Sequence, residues 1–120
     1  FGIVACPNMF GDILTDLGAE IMGGLGVAAS GNINPHGVSM FEPVHGSAPD
    51  IAGQGKANPI AAILAAKMMI DQLGRPDIGK QIEWAVKRAM DQKLVTADMG
   101  GKLSTKQAGD AIAELIRASG

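Results

Sequence analysis

The sequence is poor in cysteine and in aromatic residues. It contains one cysteine, no tyrosine, one tryptophan and three phenylalanines among 120 residues. A single cysteine, Cys6, excludes an internal disulfide framework and fits the reducing cytoplasm, which is where we expect the protein. The absence of tyrosine means that no phenolic acid or base is available in this segment.

Clustered positive charge and long apolar runs are also missing. Ten Lys and Arg residues against twelve Asp and Glu give a net charge of -2, which argues against a nucleic-acid partner held through its phosphates. The longest apolar run, residues 60–66, is far shorter than the roughly 20 residues of a membrane-spanning helix, so no membrane partner is expected. The chain is short enough for one domain, and it begins at Phe1 as if a strand were already under way. We therefore expect a piece of a longer protein.

Apolar periodicity and helix punctuation predict an α/β fold with two strand–helix steps followed by further helices. Asn8 and Asn58 are expected helix N-caps, Gly74 ends the second helix, and Ser104 with Gln107 forms a capping box. The predicted strands are 1–6, one within 27–35, and 38–44; the predicted helices are 9–25, 59–73, 77–92 and 105–117.

The segment His45–Pro59 is the most informative part of the sequence. It holds three glycines, two prolines, a histidine and an aspartate between a predicted strand and an apolar helix. Such a loop lets backbone N–H groups approach an anion, and an acid within it can accept the hydroxyls of a ribose. Asp50 would also repel a 2′-phosphate, so the loop favours NAD over NADP. A plain glycine-rich turn is the alternative.

Asp12 and Asp16 lie one turn apart on the first predicted helix, so their carboxylates share a face. Like charges at this spacing repel, and a divalent cation would offset the cost. Oxygen ligands favour Mg²⁺ or Mn²⁺ over zinc. Two acids that simply face water remain an alternative.

Three segments resemble those of a known enzyme family. They are residues 8–16 (NMFGDILTD) running on to 23–26, residues 41–50 (FEPVHGSAPD) running on to 58–59, and residues 96–101 (TADMGG), where Ala97 replaces a usual proline. Together they resemble the C-terminal part of the metal-dependent decarboxylating β-hydroxyacid dehydrogenases, a family that acts on isopropylmalate, isocitrate, homoisocitrate and tartrate. The resemblance implies that family's α/β fold, in which helices flank a mixed sheet. Residues 1–35 would carry a strand and the helix that binds the metal and forms the dimer contact. Residues 36–120 would carry the C-terminal helices and the segment His45–Pro59, which we call the cofactor loop.

The resemblance also implies site residues. Asp12 and Asp16 would bind Mg²⁺ or Mn²⁺, and a third aspartate, which lies outside this segment, would reach in from the other subunit of a homodimer. In the family, the helix that carries the two aspartates commonly packs at the subunit contact. Leu14, Leu17, Ile21 and Leu25 suit such a surface, and they suit an internal core equally well. Relatives that use NADP carry Lys-Tyr where this chain has Asp50 and Ile51, which again favours NAD. The loop residues implied to hold the adenosine half of NAD are His45, Gly46, Ser47, Ala48, Asp50, Ile51 and Asn58.

The implied activity is NAD-dependent oxidative decarboxylation of a 2-hydroxy acid that bears a 3-carboxylate. We expect 3-isopropylmalate, an intermediate of leucine biosynthesis, because that activity is widespread; tartrate, D-malate or homoisocitrate are the alternative substrates. In the family, the acid/base Lys and Tyr and the substrate-clamping arginines belong to earlier parts of the chain. No catalytic residue is therefore assigned here, and the segment alone should be inactive. A non-catalytic nucleotide- or metal-binding module and an inert truncated product are the competing interpretations.

Overall fold

A computed structural model describes residues 2–119, which form four α-helices, one pair of β-strands and three short 3₁₀ turns. Among these residues, no helix combines the length and apolarity that crossing a membrane requires. The helices and strands are α1 Asn8–Ile21, β1 Ala29–Asn32, β2 Met40–Pro43, α2 Ile60–Gln72, α3 Pro76–Asp91 and α4 Thr105–Ala118; the 3₁₀ turns are Leu25–Val27, Pro49–Ile51 and Ala97–Met99.

The two strands pair antiparallel, with Ala29 opposite Pro43 and Asn32 opposite Met40. Both lie inside the predicted ranges 27–35 and 38–44. Within the described residues this pair is the whole sheet, so of the expected mixed sheet only antiparallel pairing is present. Gly31 allows the strands to approach, because a Cβ there would lie 2.9 Å from the Phe41 ring.

The strand predicted at 1–6 is wrong for the residues that can be assessed. Residues 2–6 are exposed and form no strand, while Phe1 lies outside the described residues. Their composition suits a strand, but a strand must satisfy its backbone N–H and C=O groups by pairing. Among residues 2–119, no neighbouring strand offers that pairing.

Helix ends follow the predicted punctuation with local differences. Helix α1 already includes Asn8, so the residue before the helix is Pro7 and not the predicted N-cap Asn8. The helix ends at Ile21, because the chain then turns with positive φ at Gly23 and Gly24. Helix α2 begins at Ile60, and Asn58 still caps its first turn by accepting a hydrogen bond from the Ile60 N–H at 3.0 Å. The capping box at Ser104 is confirmed.

The core lies where α2, α3 and α4 meet, close behind the loop that precedes α2. Helix α2, although apolar nearly all round, is buried on one side only, and Met69 on the other side is 43 % exposed. The central buried residues are Ile60, Ala85, Val86, Ala89, Val95 and Ile112. Since Ile60 is the first residue of α2, this packing fixes the end of the cofactor loop against the rest of the domain.

Candidate functional site

Helix α1 positions the two predicted metal ligands. Asp12 and Asp16 are exposed one helical turn apart, and within the described part of the chain neither carboxylate is paired with Lys or Arg. Between them, the Thr15 hydroxyl donates to the Gly11 carbonyl at 2.8 Å, which keeps that side chain bound to its own helix. Both aspartates are therefore free to accept a ligand.

Asp12 and Asp16 line a cavity of about 1100 Å³. Two residues of the predicted cofactor loop, His45 and Gly46, line the same cavity, although they follow β2 rather than α1. The residue patterns alone do not connect the aspartate pair with this loop; only the family resemblance does. The structure brings the predicted metal ligands and the start of the predicted cofactor loop to one opening.

These oxygens suit a hard divalent cation, but they form an incomplete ligand set. Among residues 2–119, no group of three or more His, Cys, Asp or Glu side chains could hold a metal ion by itself. Mg²⁺ keeps several waters and is commonly held by one or two carboxylates together with oxygens of its substrate. The pair Asp12 and Asp16 fits such a partial site.

The imidazole of His45 is oriented by its neighbour. Its Nδ1 lies 2.8 Å from the Gly46 carbonyl oxygen. Because a carbonyl oxygen can only accept, Nδ1 must carry the proton in this contact. In a neutral ring Nε2 is then left as an acceptor.

The middle of the loop turns sharply and lines a second, smaller cavity of about 260 Å³. Ala48 adopts the left-handed conformation, with φ 44°, and the 3₁₀ turn Pro49–Ile51 follows it. A left-handed non-glycine residue is strained and marks a backbone held in place by its surroundings. Ser47, Ala48 and Ile51 contribute to the wall of the second cavity, while Asp50 is exposed within the same turn.

The end of the loop is tied to the C-terminal part of the chain by side chains. Asn58 Nδ2 donates to Asp98 Oδ2 at 2.8 Å, and the Thr96 hydroxyl donates to Asp98 Oδ1 at 2.5 Å. Gly26 lies against this pair, since a Cβ there would come within 3.0 Å of Asp98 Oδ2. Gly26, in the segment that follows α1, thus lies against Asn58 at the end of the predicted cofactor loop.

A second set of hydrogen bonds joins the loop to the start of α4. The Thr105 hydroxyl donates to the Ala57 carbonyl at 2.6 Å, and the Thr105 N–H donates to the Gly55 carbonyl at 2.8 Å. Thr105 also lines the smaller cavity. Of the seven predicted cofactor residues, two line the larger cavity, three line the smaller one, and Asp50 and Asn58 line neither.

Lys67 lines the larger cavity but already forms salt bridges with two carboxylates. Its ammonium lies 2.9 Å from an Asp71 carboxylate oxygen and 3.3 Å from one of Glu83. The hydrogen bond to Asp71 raises the pKa of Lys67, while burial acts in the opposite direction. A lysine held protonated in this way is a poor general base.

Sequence reasoning missed the roles of Thr96, Asp98 and Thr105. The resemblance marks residues 96–101 only as a segment similar to a family motif, and the helix punctuation marks Thr105 only as the start of a helix. The spacing of Thr96 and Asp98 does suggest a hydroxyl and a carboxylate that meet within one turn. Nothing in the spacing indicates that their partner is Asn58.

Comparisons with known proteins show similarity to one family of dehydrogenases. A family model described as isocitrate/isopropylmalate dehydrogenase matches residues 1–112. The chain is 54 % identical to the 3-isopropylmalate dehydrogenase of Thermobifida fusca, covering 100 % of this chain and 34 % of that protein. It is 47 % identical to a probable tartrate dehydrogenase/decarboxylase of Bacillus subtilis, and the match covers 98 % of this chain and 34 % of that protein.

The fold has close counterparts among solved structures. The crystal structure of an isocitrate dehydrogenase from Methylococcus capsulatus superposes with a TM-score of 0.87 at 47 % identity, covering 92 % of this chain and 33 % of that one. The predicted fold family is thereby confirmed. The chain spans about a third of the length of the relatives it matches.

Proposed function

We propose a function from the premise that the chain belongs to the isocitrate/isopropylmalate dehydrogenase family. As part of a full-length enzyme, it would supply the cation-binding and NAD-binding groups for oxidative decarboxylation of a hydroxy acid. The observation that carries this proposal is the cavity that Asp12 and Asp16 share with His45 and Gly46. In this proposal the cation and the nicotinamide act on one substrate, and a cavity of about 1100 Å³ has room for both.

Asp12 and Asp16 would hold Mg²⁺ or Mn²⁺ through carboxylate oxygens that have no cationic partner in the described part of the chain. When bound there, the cation supplies Lewis-acid polarisation of the substrate oxygens, and NAD supplies the hydride acceptor. The engaged Lys67 does not provide a proton acceptor. The acid/base groups would therefore come from other parts of the full-length enzyme.

The loop residues would bind the adenosine half of NAD. His45 and Gly46 line the larger cavity, and Ser47, Ala48 and Ile51 line the smaller one, so the loop passes from one to the other. The loop therefore offers a surface, continuous with the cavity of the two aspartates, along which the adenosine half can lie. The exposed Asp50 carboxylate can accept ribose hydroxyls and would repel a 2′-phosphate, which supports NAD over NADP.

For the substrate we propose 3-isopropylmalate, which would place the enzyme in leucine biosynthesis. The identity of 54 % to a 3-isopropylmalate dehydrogenase supports this choice. The chain is also 47 % identical to a probable tartrate dehydrogenase/decarboxylase, and tartrate, D-malate and homoisocitrate are the alternative substrates. The acidic composition and single cysteine suit a cytoplasmic enzyme.

We further propose that two copies meet through α1. Leu14, Leu17 and Ile21 are 50 %, 57 % and 80 % exposed, so they do not form a core within the described residues. A row of large apolar side chains on one helix face is costly to leave in water. A second copy would cover this row and bring its own acids toward the Asp12 and Asp16 cavity.

Steady-state assays of the full-length enzyme, expressed from its complete coding sequence, test the function. With Mn²⁺ and NAD, we expect kcat/KM to be highest for 3-isopropylmalate when tartrate, D-malate, isocitrate and homoisocitrate are assayed in parallel. A higher value for tartrate or D-malate would change the substrate and leave the reaction class intact. Binding of NAD without turnover of any of these acids would instead indicate a non-catalytic nucleotide-binding module.

A further inference from the structure

We propose that Asp98 is a positioning residue for the cofactor: its carboxylate fixes the orientation of the Asn58 amide and thereby sets the affinity for the adenosine half of NAD. This inference rests on the proposed function, because it concerns how the same loop binds its ligand. Asp98 lies forty residues from Asn58 along the chain, and neither motif nor spacing assigns it to the cofactor site.

The Asn58 amide is held at both ends. Its Oδ1 accepts from the Ile60 N–H at 3.0 Å, and its Nδ2 donates to Asp98 Oδ2 at 2.8 Å. A flipped amide would place an NH₂ group against the Ile60 N–H and an oxygen against the carboxylate, which are two repulsive contacts. One orientation is therefore selected, and it leaves one N–H and one oxygen lone pair of Asn58 free for a ligand.

Asp98 is itself held in place although the residue is exposed. Its Oδ1 accepts from the Thr96 hydroxyl at 2.5 Å, and Thr96 is 1 % exposed. Gly26 packs against the other oxygen, where any Cβ would be tightly crowded. With one oxygen bound to a buried hydroxyl and the other to Asn58, the carboxylate has little freedom to rotate. Hydrogen bonds to an ionised group are also stronger than neutral ones.

The contact is not explained by helix capping alone. The cap on α2 uses the Asn58 oxygen, and Asn58 would satisfy the Ile60 N–H without any partner for Nδ2. What the bond to Asp98 adds is the direction in which the rest of the amide points. Asn58 is one of the residues that the family resemblance implies for binding adenosine, so that direction should decide how well the cofactor is bound.

The first test is Asp98→Ala in the full-length enzyme. Loss of a charge-assisted hydrogen bond that orients a ligand-binding group should raise KM for NAD about tenfold, with a smaller change in kcat. Asp98→Asn should give an intermediate rise, because its oxygen can still accept from Asn58. Glu114→Ala, which removes an exposed acid of α4, is the matched control and should leave KM for NAD unchanged.

A double mutant separates positioning from general damage. If Asp98 acts through Asn58, Asn58→Ala with Asp98→Ala should show the same KM for NAD as Asn58→Ala alone. The inhibition constant of ADP-ribose should rise in parallel with KM for NAD, while KM for the hydroxy acid stays within about twofold of wild type. These readouts would not follow from loss of stability alone.

Three results would overturn the inference while the proposed function stands. They are a normal KM for NAD in Asp98→Ala and Asp98→Asn, additive effects in the double mutant, and an equal rise of KM for both substrates. Absence of NAD-dependent turnover in the wild-type enzyme would overturn the proposed function and this inference together.

Discussion

The hydroxyl of Thr105 donates to the carbonyl of Ala57 at 2.6 Å, which joins the first residue of α4 to the end of the cofactor loop. The Thr105 N–H makes a second bond to the same loop, at the Gly55 carbonyl. Gly53 and Gly55 both have positive φ, so this part of the loop follows a path that favours glycine and depends on outside contacts to stay fixed. Helix α4 thus holds the end of the predicted cofactor loop although it carries none of the predicted site residues.

Thr105→Val in the full-length enzyme tests that role. The substitution keeps the size of the side chain and the backbone bond to Gly55 but removes the hydroxyl. We expect KM for NAD to rise about two- to tenfold, the range for one neutral hydrogen bond, while Thr105→Ser restores the wild-type value. An unchanged KM in Thr105→Val would show that the bond contributes nothing to cofactor binding.

Cofactor choice should depend on the exposed turn at Asp50. Asp50→Lys combined with Ile51→Tyr replaces a carboxylate that would repel a 2′-phosphate with a cation that would attract it. The ratio of kcat/KM for NADP to that for NAD should rise by at least about a hundredfold, as expected when a repelling charge is exchanged for a pairing one. Lys56→Ala, an exposed change elsewhere in the loop, serves as the control. A constant ratio would contradict the role given to Asp50.

Association through α1 should be sensitive to charge on its apolar face. Leu17 is 57 % exposed in the described chain, and Leu17→Asp would bury a carboxylate in the proposed interface. Sedimentation of the wild-type enzyme should show a dimer, and that of Leu17→Asp a monomer. Glu20→Gln, on the same helix, should remain dimeric. A dimeric Leu17→Asp enzyme would place the interface elsewhere.

Two glycines should respond oppositely to alanine. A Cβ at Gly101 would overlap the Val95 carbonyl oxygen, and backbone cannot move aside easily. Gly101→Ala should therefore lower the unfolding temperature, with a cost of about 1–3 kcal/mol in the free energy of unfolding.

Gly109 offers the matched control, since it lies inside α4 with no atom near the position of a Cβ. Gly109→Ala should raise the free energy of unfolding by about 0.5–1 kcal/mol through helix propensity. Thermal unfolding of the full-length enzyme measures both changes. A stable Gly101→Ala variant would contradict the close contact with Val95.

What the sequence predicted well was local. The capping box at Ser104 and Gln107 lies within four residues, so neighbouring residues alone determine it. The bounds of α1 differ from the prediction, because Asn8 lies inside the helix and the helix ends at Ile21. The strand expected at residues 1–6 is absent over residues 2–6, because strand propensity cannot supply a pairing partner. The apolar row of α1 correctly indicated a helix, but periodicity does not say what covers that row.

The non-local contacts of the site could not be predicted in this way. The shared cavity of Asp16 and His45 arises because α1 and the end of β2 come close in space, and the 3₁₀ turn Leu25–Val27, which contacts both α1 and β2, brings them together. The bond between Asn58 and Asp98 likewise depends on how α3 returns the chain to the loop. Only the resemblance to a family indicated that these segments belong to one site.

The central claim is that Asp12 and Asp16 hold a divalent cation beside a loop that holds NAD. Calorimetric titration of the full-length enzyme with Mn²⁺, and separately with NAD, tests it most directly when wild type is compared with Asp16→Asn. Loss of a residue that only supports a metal ligand already weakens metal binding about tenfold or more. We therefore predict that loss of the Asp16 carboxylate weakens Mn²⁺ binding by more than about tenfold, while NAD affinity changes little. Equal Mn²⁺ affinity in the two proteins, together with full Mn²⁺-dependent turnover by Asp16→Asn, would contradict the account.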